Sequence, residues 1–216
     1  SLLEKNNRPL SVSELEEAVA SGALILDTRI PDEFEKGFIK GSINIGLNGT
    51  FAIWAGSIIP IEKQLVLVAD PGKEQESITR LARVGFENIK GYLSGGIESW
   101  EKSGKAIDKI ISINPSELSA GIALGEKVID VRKSAEAENG MVKDADLLPL
   151  SDLKENLSNL DPTQSYLVHC AGGYRSMIAC SIMKAQGFKN VKNVLKGFAG
   201  IKSDCPEVIG EPVANA

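Results

Sequence analysis

Short apolar runs alternate with amphipathic stretches along the chain. The runs are rich in Leu, Ile and Val and too brief for helices, so they predict buried strands, the clearest at 24–26, 65–68 and 166–168. Stretches with helical spacing lie at 13–20, 77–84 and 177–183. Ser11 or Ser13 is placed to cap the first of these helices, and Gly85 to end the second. The alternation predicts an α/β fold with a mostly parallel sheet covered by helices on both faces.

The chain also repeats itself after about 103 residues. Two copies are too few for a solenoid, so the repeat predicts two globular domains, residues 1–108 and 109–216. The matched segments and residues are 24–29 with 127–132, 85–89 with 187–191, Glu33 and Gly37 with Glu136 and Gly140, Leu93 and Gly95 with Leu195 and Gly197, and Trp100 with Lys202.

A cysteine loop follows the predicted strand 166–168. Cys170 begins it, two glycines follow, and Arg175 stands just before the helix. Glycines let successive backbone N–H groups turn toward one point, and a helix start adds partial positive charge there. Such surroundings favour a thiolate, which is the nucleophilic form of cysteine. The predicted catalytic residues are Cys170 and Arg175, and the predicted substrate-binding residues are Ala171, Gly172, Gly173, Tyr174 and Ser176. The alternative is a buried cysteine that packs beside a tight turn.

The spacing within this loop distinguishes classes of chemistry. Four residues separate Cys170 from Arg175, whereas cysteine phosphatases and related arsenate reductases have five and a wider loop. The shorter loop, 170–176, resembles that of the rhodanese family. Several segments of the first copy resemble the framework signatures of rhodanese domains. They are Asp27-x-Arg29, Glu33, the segment 37–44 and Leu93-x-Gly95-Gly96-x-x-x-Trp100. Phe38 departs from that pattern, since the family often has histidine there.

The resemblance implies two rhodanese-like α/β domains and a sulfurtransferase activity. Cys170 would carry a persulfide, taking sulfur from thiosulfate or a low-molecular-weight persulfide and passing it to a thiophilic acceptor. No cofactor is needed for this double displacement. The alternatives are a non-catalytic sulfur-sensing or docking module and, among enzymes, a phosphatase or arsenate reductase.

The first copy lacks this chemistry. No cysteine occurs before residue 170, and the segment 68–76 stands where the second copy has its loop, with Asp70 aligned to the cysteine. Asp70, Glu74 and Glu76 place negative charge where an anion site needs positive charge, and Pro71 removes a backbone donor. We therefore expect domain 1–108 to be inactive.

A closer resemblance covers the whole chain. The segments 51–56, 59–60 and 65–73 are similar to the middle domain of proteins in which a metallo-β-lactamase-like persulfide dioxygenase precedes two rhodanese domains. The chain starts at Ser1 and has no His-x-His-x-Asp-His motif. The resemblance implies sulfide metabolism, and a persulfide dioxygenase domain or protein as the partner.

Charge and composition narrow the partners. The net charge of −5 argues against nucleic acid. Between Asp161 and Asp204 there is no acidic residue, and this basic stretch contains the cysteine loop, so small anionic sulfur compounds are the expected ligands. No apolar run approaches the roughly 20 residues of a membrane helix, and no signal segment is present, so no membrane partner and a cytoplasmic location are expected.

The remaining cysteines and the histidine predict no cofactor. Three cysteines form no disulfide framework, which indicates a reducing compartment. With one histidine, His169, and no Cys-x-x-Cys pair, no metal site is expected. His169 is interpreted as a packed strand residue, the alternative being a helper of the cysteine. Cys180 is interpreted as a packed thiol, whereas Cys205 is either passive or exposed and oxidisable.

Overall fold

The computed structural model describes residues 2–210 of the chain. The chain separates into two compact units, with the division between Lys109 and Ile110. The sequence repeat placed this division one residue earlier, after residue 108.

The first unit is an α/β domain with one five-stranded sheet. The strands lie in the order β1-β5-β4-β2-β3, and every neighbouring pair is parallel. Its elements are α1 (Leu2–Asn6), β1 (Pro9–Leu10), α2 (Val12–Ala20), β2 (Leu24–Asp27), α3 (Pro31–Phe34), β3 (Ile43–Asn44), α4 (Phe51–Ile58), β4 (Leu65–Val68), α5 (Glu74–Arg83), β5 (Ile89–Leu93) and α6 (Gly96–Lys102).

The second unit repeats this design. Its parallel sheet has the order β6-β11-β10-β7-β9, and a short antiparallel pair, β8 with β12, is added. Its elements are β6 (Ile111–Ile113), α7 (Leu118–Ala123), β7 (Lys127–Asp130), α8 (Ser134–Ala137), β8 (Met141–Val142), β9 (Asp146–Leu147), α9 (Leu153–Asn156), β10 (Tyr166–His169), α10 (Tyr174–Ala185), β11 (Val191–Val194), α11 (Gly197–Asp204) and β12 (Ile209–Gly210), with 3-10 turns at Pro115–Glu117, Leu150–Asp152, Leu157–Asn159 and Pro206–Val208.

Local sequence explains most element boundaries. Ser11, and not Ser13, caps α2, and its side chain forms a reciprocal capping box with Glu14. The predicted helix 77–84 begins three residues earlier, at Glu74, because acidic side chains are favourable in a first helical turn. β4 and β10 are buried along their whole length, as expected for the central strand of a parallel sheet covered on both faces.

A buried ion pair fixes the end of one strand in each unit. In the first, Asp27 and Arg29 are fully or almost fully buried and 2.7 Å apart, and Arg29 Nη2 donates to the carbonyl of Gly37 at 2.9 Å. Burial raises the pKa of Asp27, and the hydrogen bond from Arg29 opposes this shift. Asp130 and Arg132 repeat these contacts in the second unit, and both pairs tie the strand end to a distant turn.

The strand registers correct the internal alignment. Leu65 of β4 pairs with Ile89 of β5, but the next residue, Val66, pairs with Gly91, so β5 contains one extra residue at this point. The strand β11 of the second unit has no such irregularity. The extra residue shifts everything after it by one position. Gly95 therefore corresponds to Lys196, and not to Gly197 as the sequence match predicted; both begin a helix at the same point in the sheet. Trp100 likewise corresponds to Ile201 and not to Lys202.

We expect Asp27→Ala to destabilise the first unit by about 3–5 kcal/mol, because it leaves the guanidinium of Arg29 buried and unpaired. Urea unfolding followed by tryptophan fluorescence measures this unit alone, since the two tryptophans of the chain, Trp54 and Trp100, both lie in it. Glu33→Ala, which removes an exposed pair with Lys36, is the control and should leave the unfolding midpoint unchanged. Equal midpoints for Asp27→Ala and the control would contradict the structural role of the buried pair.

Candidate active site

Cys170 lies directly after the central strand β10, at the carboxyl edge of the second sheet, where ligands of parallel sheets bind. Its side chain is buried, and Sγ accepts a hydrogen bond from the backbone N–H of Gly173 at 3.1 Å. Gly173 has φ 112°, a left-handed conformation that glycine adopts freely, and this conformation turns the N–H toward the sulfur. The loop therefore holds a backbone donor against the sulfur before any ligand binds.

Ser176 connects the sulfur to a buried polar chain. Its hydroxyl lies 3.6 Å from Cys170 Sγ and donates to Asn193 Oδ1 at 2.7 Å. Asn193 Nδ2 in turn donates to the hydroxyl of Ser112 at 3.0 Å. Asn193 and Ser112 were not among the predicted site residues; the available signal was an amide, Asn193, within the strand β11. Their hydrogen bonds fix the hydroxyl of Ser176 beside the sulfur.

Arg175 is held by an acidic side chain. Its two terminal nitrogens donate to the two carboxylate oxygens of Glu136 at 2.7 and 2.8 Å. The hydrogen bonds from Arg175 lower the pKa of Glu136 to about 2, and those to Glu136 raise the pKa of Arg175. Glu136 also accepts from the backbone N–H of Lys133 at 2.9 Å. The predicted cation is thus fixed at the loop, with its charge balanced by a carboxylate.

His169 does not contact the sulfur. It is fully buried, its Nδ1 lies 3.0 Å from the carbonyl oxygen of Cys170, and its Nε2 lies 3.8 Å from Asp130 Oδ2. Burial lowers the pKa of His169, so the ring is neutral at pH 7. A neutral ring with its proton on Nδ1 donates to the carbonyl and supports the loop. This places His169 as a packed strand residue that shapes the backbone of Cys170.

The start of α11 packs against the back of the loop. The N–H of Phe198 donates to the carbonyl of Cys170 at 2.7 Å, and the N–H of Ala199 to that of Ala171 at 3.3 Å. A Cβ on Gly197 would lie 2.5 Å from the carbonyl oxygen of Cys170, so this position has no room for a side chain. The outer face of the loop is open, with Gly172 exposed and Ala171 and Tyr174 half-buried.

The first unit has a different loop at the equivalent place. Val68 pairs with Asp27 as His169 pairs with Asp130, so the residue that corresponds to Cys170 is Ala69, and not Asp70 as the sequence alignment placed it. Gly96 packs against the carbonyl of Ala69 as Gly197 does against that of Cys170. The carboxylate of Glu74 accepts the N–H of Gly72 at 2.8 Å. A side chain of the loop itself therefore occupies a donor that a bound anion would need.

The other two cysteines lie in the core. Cys180 and Cys205 are both completely buried, and all three cysteines are free thiols. Burial raises the pKa of Cys205, and this burial contradicts the alternative that it is exposed and oxidisable. Within residues 2–210 there is no group of three or more His, Cys, Asp or Glu side chains suited to a metal ion. No helix in the same range is long and apolar enough to cross a bilayer.

The Glu136–Arg175 pair predicts a pH-dependent stability. Because the folded-state pKa of Glu136 is about 2, below the ordinary value of 4.5, its contribution is complete above pH 4.5 and disappears as the pH falls toward 2. Glu136→Gln should cost about 1 kcal/mol near pH 6, a modest value because solvent screens the pair. The difference from the unchanged protein should vanish near pH 2.

Urea-dependent exposure of thiols to dithiodipyridine measures this effect in the second unit alone, since every cysteine lies there. Glu138→Gln, at the end of the same helix, is the matched control. A constant difference between the unchanged protein and Glu136→Gln from pH 2 to 6 would contradict the linkage.

Comparison with known proteins identifies the family. The family model described as Rhodanese-like domain matches residues 11–103 and again 114–204. The chain is similar to a putative sulfurtransferase, YtwF, of Bacillus subtilis, at 34% identity over 85 residues, which cover 38% of this chain and 82% of that protein. A sulfurtransferase of Allochromatium vinosum is 32% identical over 88 residues, covering 40% of this chain and 82% of that protein.

The chain is also similar to a solved structure over about half of its length. The crystal structure of a rhodanese-related protein from Thermoplasma volcanium is 33% identical and has a TM-score of 0.40, covering 48% of this chain and 97% of that one. The two family matches together span most of residues 2–210, one in each compact unit. The chain therefore belongs to the rhodanese-like family and contains two domains of that family in tandem.

Proposed function

We propose that the second domain is a sulfurtransferase that uses Cys170 as its nucleophile. The sulfur donor is thiosulfate or a low-molecular-weight persulfide, and the acceptor is a thiophilic anion or thiol. The observation that carries the proposal is the position of Cys170 Sγ, at a strand end, with the N–H of Gly173 at 3.1 Å and the start of α10 beside it. Such a site stabilises negative charge on sulfur.

The proposed cycle has two displacements. The thiolate of Cys170 attacks the outer sulfur of thiosulfate, a new S–S bond forms, and the old one breaks as sulfite leaves with the electron pair. The acceptor then attacks the outer sulfur of the Cys170 persulfide. The S–S bond to Cys170 breaks, and the thiolate of Cys170 is regenerated. Each step exchanges one bond to sulfur for another, so the cycle needs no external oxidant, reductant or cofactor.

The protein groups around the loop fit a persulfide. Its outer sulfur carries negative charge and needs donors, and we assign this role to backbone N–H groups of the loop, beside that of Gly173, which already binds Cys170 Sγ. The paired donors of Arg175 are already committed to Glu136. A phosphoryl group needs a guanidinium fork that is free to bind two oxygens. The occupied fork therefore favours sulfur transfer over phosphate hydrolysis.

A second function, without catalysis, is favoured for the first domain. Ala69 supplies no nucleophile at the position of Cys170, and the carboxylate of Glu74 occupies the backbone N–H of Gly72. We propose that this domain serves as a docking or sensing module of the same sulfur system. A persulfide dioxygenase, as a neighbouring domain or a separate protein, is the partner we propose for it.

Cys170→Ser should abolish sulfur transfer, because no other thiol lies in an open loop. Intact-mass measurement after treatment with thiosulfate or glutathione persulfide should show a gain of about 32 Da, one sulfur, in the unchanged protein, as expected for covalent catalysis. Cys180→Ala and Cys205→Ala are the controls and should keep this gain. Sulfur transfer by Cys170→Ser at the normal rate would refute the mechanism.

Restoring a cysteine to the first domain should not restore activity. In the full chain, Ala69→Cys combined with Cys170→Ser should gain no sulfur mass, because the N–H of Gly72 remains bonded to Glu74. Adding Glu74→Ala to this double variant releases that N–H and tests whether it limits the reaction. A persulfide on the double variant itself would show that the acidic loop is no obstacle.

A further inference from the structure

Lys196 has a backbone conformation that is unusual for a lysine. Its φ is 60°, and among residues 2–210 only one other non-glycine residue, Asp144, has a positive φ. The left-handed region places Cβ close to backbone atoms, so side-chain-bearing residues adopt it at a cost. The first domain has Gly95 at the equivalent position, with φ 77°. The backbone turn therefore suits glycine, and the second domain has a lysine there.

This lysine stands at the rim of the cysteine loop. Its backbone nitrogen lies 3.8 Å from the point where a Cβ on Gly173 would be, and Gly173 is the residue whose N–H binds the sulfur. Two residues later, the N–H of Phe198 binds the carbonyl of Cys170. The turn and the loop are thus packed together by backbone contacts. The side chain of Lys196 is exposed.

Lys196 differs from Arg175, Arg132 and Lys192 in having no carboxylate partner among the described residues. Arg175 is balanced by Glu136, and Lys192 by Glu126 at 2.6 Å. Arg132 is balanced by Asp130. Lys196 has no ion pair with any residue in the described range. Lys196 is therefore an exposed cation without a balancing carboxylate in that range, and its backbone packs against the cysteine loop.

We propose that Lys196 is a substrate-binding residue that selects doubly charged oxyanions of sulfur, such as thiosulfate and sulfite. Its flexible stem lets the ammonium group follow the anion over the open face of the loop. This inference rests on the proposed function, since it names the residue that binds the inorganic donor. It assigns the anion specificity to a residue outside the loop 170–176.

The test measures anion binding without turnover. Full-length Cys170→Ser protein is titrated with thiosulfate and with sulfite by calorimetry, alone and combined with changes at Lys196. Lys196→Asn removes the charge and keeps a residue that tolerates the left-handed region. Lys196→Gly removes the charge and the strain, and Lys196→Arg keeps the charge. Lys202→Asn removes another exposed lysine of α11, two turns from the loop, and is the matched control.

We expect the Kd for thiosulfate to rise about tenfold in Lys196→Asn and Lys196→Gly, in line with one lost contact between a cation and a dianion. Lys196→Arg should retain most of the affinity, and Lys202→Asn should match the parent. In protein that retains Cys170, Lys196→Asn should raise KM for thiosulfate more than it lowers kcat. The urea midpoints of Lys196→Asn and Lys196→Gly should equal or exceed that of the parent.

The outcomes separate this inference from the proposed function. An unchanged Kd in Lys196→Asn, or no measurable binding in the parent, overturns the role of Lys196. Weaker binding together with a lower urea midpoint in both neutral variants assigns it a structural role and also overturns the proposal. A tenfold loss of binding in a protein that never acquires persulfide mass supports Lys196 as an anion-binding residue and refutes sulfur transfer instead.

Discussion

The buried pair of Asp130 and Arg132 is the interaction on which the candidate active site depends. Arg132 binds Asp130 at the end of β7, donates to the carbonyl of Glu136 at 3.3 Å, and lies 3.9 Å from the ring centre of Phe198. Glu136 in turn holds Arg175, and the N–H of Phe198 holds the carbonyl of Cys170. One guanidinium, removed from water and therefore strongly committed to its partners, thus organises both sides of the cysteine loop.

The two domains share this type of buried ion pair and differ in the loop that packs beside it. Asp27 and Arg29 make the same hydrogen bonds in the first domain, where Glu74, and not an arginine, stands at the position of Arg175. There, Glu33 pairs with its neighbour Lys36 at the surface. The buried ion pair is therefore a requirement of the fold, because a buried charge must be paired wherever it occurs. The two domains differ in the loop after the central strand, which carries a cysteine in the second domain and Ala69 in the first.

The sequence by itself determined the fold class, the tandem repeat and the position of the cysteine loop. Apolar runs of strand length, alternating with helical stretches, are sufficient to define parallel α/β domains, since burial on both faces requires continuous apolar strands. Cys170 was identifiable because a cysteine, two glycines and a helix start occur together within a few residues. These signals come from residues that are close together in the chain, so they can be recognised without knowing the tertiary structure.

Only the tertiary structure decided which residues face one another. The partner of Arg175 is Glu136, 39 positions earlier in the chain, and Asn193 reaches Ser176 from a neighbouring strand. The extra residue in β5 cannot be recognised by aligning the two halves of the sequence, because glycines of the first half can be matched to glycines of the second half with or without it. Strand pairing resolves this, since hydrogen bonds across the sheet fix each residue against its neighbour. That register makes Gly95 the counterpart of Lys196.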